Sequence, residues 1–152
     1  MNERKGYTLI ELITVLALIS ILIMVSIPNS YILVRHREYN EIKQFEKDLK
    51  FARAKAMVEN SPVEFMVDVQ QNKYKIVQNN KVIKEYIFKN GVQLQSITIS
   101  DNKSSQNWSS IVFKTTGAPS SAGTINFNTK NFGNYSITIE VATGRINTYI
   151  NR

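Results

Sequence analysis

From Leu12 to Ile27 the chain runs sixteen residues without a charge, and eleven of them are Leu, Ile or Val. A helix with that pattern is apolar on every side and needs lipid or a protein core around it. Taken from Tyr7 to Ile27 the segment has 21 residues, close to the roughly 20 that span a bilayer. Pro28 follows; a proline removes a donor and crowds the preceding turn, so a kink is expected there. The pattern then changes. Ile42, Phe45, Leu49, Ala52 and Ala56 recur at spacings of 3, 4, 3 and 4, which marks one helix face docked on a sheet. Lys43, Lys47 and Lys50 fall off that face, and Glu46–Lys50 has the favourable i,i+4 order. Glu38 lies on the extension of the stripe, so its charge predicts that docking starts after it. Asn60-Ser61-Pro62 predicts the helix end.

Beyond Pro62 the period becomes two. Val63, Phe65, Val67 and Val69 share one strand face, and Tyr74 and Ile76 follow after Gln-Gln-Asn. Strands are predicted at Val82–Phe88 and Val92–Ile99, with Asn90-Gly91 between them as a hairpin turn. Four more are predicted at Ile111–Thr115, Thr124–Asn128, Tyr135–Val141 and Arg145–Tyr149, the last two joined through Thr143-Gly144. Residues 101–110 and 116–123 read as exposed loops. Up to eight short strands form a sheet domain that needs cover, and the stripe from Ile42 to Ala56 supplies it. The fold class is α+β.

Composition adds limits. The 152 residues suit about one domain. The formal charge of +7 permits nucleic acid, anionic lipid or an acidic partner and selects none of them. With no cysteine, disulfides, thiolate catalysis and cysteine-held metals are excluded. The single histidine, His36, sits between Arg35 and Arg37 and reads as solvated. Glu64, Asp68, Glu85, Asp101 and Glu140 are scattered, and the Gly117–Gly123 stretch lacks the spacing and lysine of a phosphate loop. No catalytic site, metal or cofactor is expected.

Glu11 is what a plain anchor leaves unexplained. Eleven Leu, Ile and Val residues favour membrane insertion by roughly 3 to 7 kcal/mol, against about 3 kcal/mol for a mid-membrane acid, so the acid is tolerable but unaccounted for. A cleaved secretory signal fits poorly: the apolar run is long, and Ser26-Ile27-Pro28 is a poor cleavage site. The stretch Lys5-Gly6-Tyr7-Thr8-Leu9-Ile10-Glu11-Leu12 resembles the class III signal of type IV pilins and pseudopilins, with Tyr7 in place of the usual Phe. Asp48–Asn60 with Pro62-Val63, Val112–Pro119 leading to Gly123–Phe127, and Thr143–Ile146 resemble GspH/FimT-like minor pseudopilins.

That resemblance implies a type IV pilin-like fold, with residues 1–6 a prepilin leader, 7–28 a transmembrane and filament-core helix, 29–60 an amphipathic helix and 61–152 a β domain. It implies cleavage by a prepilin peptidase between Gly6 and Tyr7, N-methylation of Tyr7, and assembly through Glu11 and Thr8, with Pro28 as the kink. Glu11 would pair with the N-terminal amine of a neighbouring subunit. Membrane lipid would hold the subunit before assembly, N-terminus cytoplasmic and β domain outside. An assembly platform would then move it into a type II secretion-like pseudopilus or a type IV pilus. Ten basic against five acidic residues after Asn60 leave open a competence-pilus subunit touching DNA through Lys130, Arg145 and Arg152. A membrane-anchored β domain that binds ligands without polymerising is the other alternative.

Overall fold

The computed structural model describes residues 6–26, 30–100, 107–131 and 133–151. The chain divides into two compact units, Met1–Leu33 and Val34–Arg152. The first holds α1 (Leu9–Ser26). Its large apolar side chains are exposed all round; even the least exposed, Ile19, shows 45% of its surface. Among the described residues no helix is long and apolar enough to cross a membrane. The eighteen residues of α1 rise about 27 Å, a little under the ~30 Å hydrocarbon core. The expected kink at Pro28 lies outside the described residues.

The second helix, α2, spans Ser30–Val58. It ends where Asn60 turns left-handed (φ 45°) and the Ser61 amide bonds back to the Ala56 carbonyl at 3.2 Å, a Schellman closure. Eight strands follow: β1 Val63–Asp68, β2 Lys73–Gln78, β3 Lys81–Ile87, β4 Val92–Ile99, β5 Ser109–Phe113, β6 Gly123–Thr129, β7 Gly133–Ile139 and β8 Ile146–Asn151. They form two antiparallel four-stranded sheets, β3-β2-β1-β5 and β4-β6-β7-β8. All five stripe residues of α2 are buried, three of them (Ile42, Phe45 and Leu49) among the largest fully buried side chains. Phe45 is the common point. Its ring meets Phe65 and Tyr74 of the first sheet at 5.2 and 4.9 Å and Phe127 of the second at 4.9 Å. Ala52 and Ala56, fully buried, let the helix backbone approach closely.

Three expectations need correction. The docked face does not begin after Glu38: that residue is wholly buried, because the Asn131 amide and side chain satisfy its carboxylate. Asn90-Gly91 does make a tight turn, with φ of 50° and 87° and Val92 N–H bonding to the Lys89 carbonyl at 3.1 Å. It is not a hairpin, however, because β3 and β4 belong to different sheets. The two-residue hairpin in this region is Asn79-Asn80, both left-handed, which closes β2 on β3 with Gln78 opposite Lys81. Lastly, the 116–123 loop is not exposed. It folds back along β5, bridging Phe113 to Pro119, and Gly117, Pro119 and Ser121 are buried. Of the 101–110 loop, residues 101–106 lie outside the described residues, and β5 already begins at Ser109.

Candidate functional site

The head of α1 is built by a cap. Thr8 precedes the helix and accepts the Glu11 amide on Oγ1 at 3.3 Å, while its carbonyl takes the first helical bond from Leu12 at 3.2 Å. Thr8-Leu9-Ile10-Glu11 has the spacing of a capping box, with Glu11 the third helical residue. An acid in the first turn also faces the positive end of the helix dipole. Tyr7, Glu11, Leu12 and Val15 line a shallow groove of about 360 Å³. Glu11 thus presents a carboxylate on an otherwise apolar rod. A Cβ placed on Gly6 meets nothing within 4 Å among the described residues, so packing against them does not demand glycine there.

In the second unit the polar work is done by α2. Glu38 accepts Asn131 of the β6–β7 turn through N–H at 3.1 Å and Nδ2 at 2.7 Å. Glu41 takes the Tyr86 hydroxyl at 3.1 Å, the Lys89 amide at 3.2 Å and Asn90 Nδ2 at 2.7 Å. Asp48 takes the Tyr74 hydroxyl at 2.6 Å and Lys84 Nζ at 2.7 Å. Glu46 accepts Lys50 and Lys43 beside it, and Thr148 of β8 across the interface. Arg53 donates from Nε to the Gly117 carbonyl and from Nη2 to the Thr143 carbonyl, both at 3.0 Å. Burial, reinforced by Asp48, pushes the Tyr74 hydroxyl far above its ordinary value. Burial with the Glu41 carboxylate pushes Tyr86 up to about 12. Burial alone would raise Glu46, but hydrogen bonds from Lys50 and Lys43 outweigh it and hold that carboxyl low.

The docking roles of Glu41 and Asp48 escaped the sequence reading, and Glu38 was set outside the docked face, although a signal was present. Glu38 extends the apolar stripe, and Glu41 and Asp48, seven residues apart, flank it at helical spacing. Their bonds tie one helix to both sheets and to the crossing between them. The open, polar groove beside Glu41, about 500 Å³, is lined by Glu41 and two of its partners, Tyr86 and Asn90, with Lys84, Arg37, Asn40 and Gln44.

The basic residues considered for DNA are not brought together. Lys130 is exposed at the β6–β7 turn and Arg145 at the β7–β8 turn. These are opposite ends of β7, seven residues long, hence roughly 20 Å apart. Arg152 lies outside the described residues, and His36 is exposed. Among the described residues no three metal-ligating side chains gather.

Residues 41–144 match the family model of type II transport protein GspH, and residues 1–27 match the model of the prokaryotic N-terminal methylation motif. A comparison with curated proteins finds no match. Two solved structures of the minor pseudopilin EpsH, from the type 2 secretion system of Vibrio cholerae, are similar. One has a TM-score of 0.58 at 14% identity, covering 75% of this chain and 97% of that one. The other has 0.59 at 13% identity, covering 78% and 97%. At these identities the likeness establishes the fold: a helix docked on antiparallel sheets. With most of its length inside the GspH model and the methylation motif at its head, the chain belongs to the GspH family of type II transport proteins.

Proposed function

We propose that this protein is a minor pseudopilin, a structural subunit of the filament of a type II secretion system rather than an enzyme. The observation that carries the reading is α1: an apolar rod exposed on every side, with a single acid in its first turn. Two environments suit such a rod, lipid and the core of a helical polymer. The segment from Tyr7 to Ile27 would occupy the first before assembly, N-terminus cytoplasmic and sheets outside. After extraction by a membrane assembly platform it would occupy the second, among other pilin-like subunits.

Cleavage between Gly6 and Tyr7 frees an α-amine with a pKa of about 8, cationic at neutral pH. N-methylation would mark that Tyr7 amine. In an apolar core a lone amine and a lone carboxylate are each costly, and paired they offset one another. Glu11 therefore sets axial register by meeting the amine of a neighbouring subunit, with Thr8 shaping the turn between them. Gly6 fits this reading: no described residue crowds it, so the demand for glycine falls on the peptidase that must accept the backbone. The DNA-contacting alternative has no shared patch among the described residues, since Lys130 and Arg145 lie at opposite ends of a sheet.

The test is co-expression with a prepilin peptidase and intact-mass measurement. The mature chain should lack residues 1–6 and carry one methyl group on Tyr7. Gly6→Val should leave the leader in place while the folded domain keeps its circular dichroism. An uncut wild-type chain in the presence of active peptidase defeats the proposal.

A further inference from the structure

Each four-stranded sheet leaves two strands at its edges, β3 and β5 in one and β4 and β8 in the other. An edge strand turns the N–H and C=O of every second residue outward, and folded proteins ordinarily cover or blunt that row. Three of these edges are treated so. Residues 118–120 lie along β5, with Lys114 N–H on the Ala118 carbonyl at 2.9 Å and Ser120 N–H on the Val112 carbonyl at 2.7 Å. The Asn72 side chain holds β4, donating to the Val92 carbonyl at 2.9 Å and accepting the Leu94 amide at 2.8 Å. β3 carries Lys81, Lys84 and Glu85, and its register with β2 breaks between Ile76 and Val77.

β8 differs. Its sequence, INTYIN, has no charge, and its pairing with β7 runs unbroken from Ile146 to Asn151. Among the described residues no strand lies on its other side. Ile150 pairs with Tyr135 and so shares its face, the core side. Tyr135 is 1% exposed and Ile150 52%, so the edge leaves an apolar core-side residue uncovered. α2 runs alongside this edge. Arg53 reaches the Thr143 carbonyl just before β8, and Glu46 accepts the Thr148 hydroxyl in its middle at 3.2 Å. Glu46 also holds Lys43 at 3.0 Å and Lys50 at 2.6 Å, whose side chains stay 39% and 57% exposed. Two ammonium groups thus share one carboxylate beside β8, and a strand added about 4.8 Å beyond it would pass next to them.

We propose that the edge of β8 takes an extended acidic peptide as a further strand of its sheet. A row of backbone N–H and C=O groups is answered by another extended backbone, which supplies donors and acceptors at the same spacing. Phosphates of a nucleic acid or an anionic lipid would attract the lysines but have no N–H for the carbonyls. Side chains alternate along a strand, so acids at every second position would face Lys43 and Lys50 while the strand itself covers Ile150. A second copy of this chain answers the backbone equally well, but brings its own Lys43 and Lys50 against the first pair. The proposal is separate from cleavage and pairing at the head of α1.

The experiment uses the full chain in non-ionic detergent micelles and a short fluorescent peptide alternating glutamate with valine, followed by anisotropy against empty micelles. Saturable binding that weakens as salt rises is expected. Replacing every glutamate of the peptide by lysine, or N-methylating its amides throughout, should each weaken binding at least about tenfold. The double variant Lys43→Gln with Lys50→Gln should lose a similar factor with its circular dichroism unchanged, whereas Lys75→Ala on the other sheet binds as the parent does. No binding at about 1 mM peptide overturns the proposal. So does binding that survives N-methylation, which would be charge attraction alone, and so does binding that the double variant keeps in full. A concentration-dependent dimer that excludes the peptide would also overturn it, giving the edge to a second copy of the chain.

Discussion

Gly144 and Gly117 show how one side chain constrains two loops. A Cβ on Gly144, whose φ is +62°, would come within 2.7 Å of the Gly117 carbonyl oxygen and 3.0 Å of Arg53 Nε. Arg53 is held by that same carbonyl and by Thr143, so it cannot step aside without losing both bonds. Gly144→Ala should therefore destabilise the fold by about 1–3 kcal/mol, read as a lowered denaturation midpoint. Gly6→Ala, with open space around it, should leave that midpoint unmoved. Tyr86 gives a residue-scale pH prediction. Its folded pKa of about 12 lies above the ordinary value of 10. The stabilisation it supplies is whole below pH ~10 and is lost as pH rises through ~12. Tyr86→Phe should remove that alkaline step from a stability-versus-pH curve and from the phenolate absorbance titration.

At the scale of elements, α2 is bound to the sheets by polar bonds as well as by its apolar stripe. Asp48 is the sharpest case, since it receives both a buried hydroxyl from β2 and an ammonium from β3. Asp48→Ala leaves the Tyr74 hydroxyl buried without its acceptor, a loss of about 2–3 kcal/mol; Lys84, more than a third exposed, can turn to water. Asp48→Asn, which keeps an acceptor oxygen, should cost less in urea denaturation. The same bonds explain the misread turn. Asn-Gly between apolar runs signals a hairpin locally, yet Glu41 ties Lys89 and Asn90 to the helix. Asn72 meanwhile anchors β4 through the Val92 carbonyl and the Leu94 amide. The turn keeps its backbone geometry while the strand after it leaves for the other sheet.

For the whole molecule, the consequential group is Glu11 on its apolar rod. If filament register depends on a carboxylate meeting a neighbour's amine, Glu11→Leu should be cleaved normally yet enter filaments at least roughly tenfold less. Its β-sheet spectrum should be that of the parent, because Glu11 lies in the other unit. Quantitative recovery of sheared filaments from cells expressing either form is the measurement. Equal incorporation would remove the pairing role and leave Glu11 as an N-terminal helix residue only.

The periodicities were legible without coordinates: the all-round apolar head, its first-turn acid, the stripe from Ile42 to Ala56, and all eight strands to within about two residues of their ends. Each is a local repeat that one backbone geometry imposes on neighbouring positions. Partner choice was not legible, because it depends on groups far away in sequence. Glu38 becomes a buried dock only through Asn131, 93 residues on, and no window of sequence contains both. The same holds for the division of β3 and β4 between sheets, and for the separation of Lys130 from Arg145. The chain alone shows four strands without charge; pairing in register is what sets them side by side in one sheet.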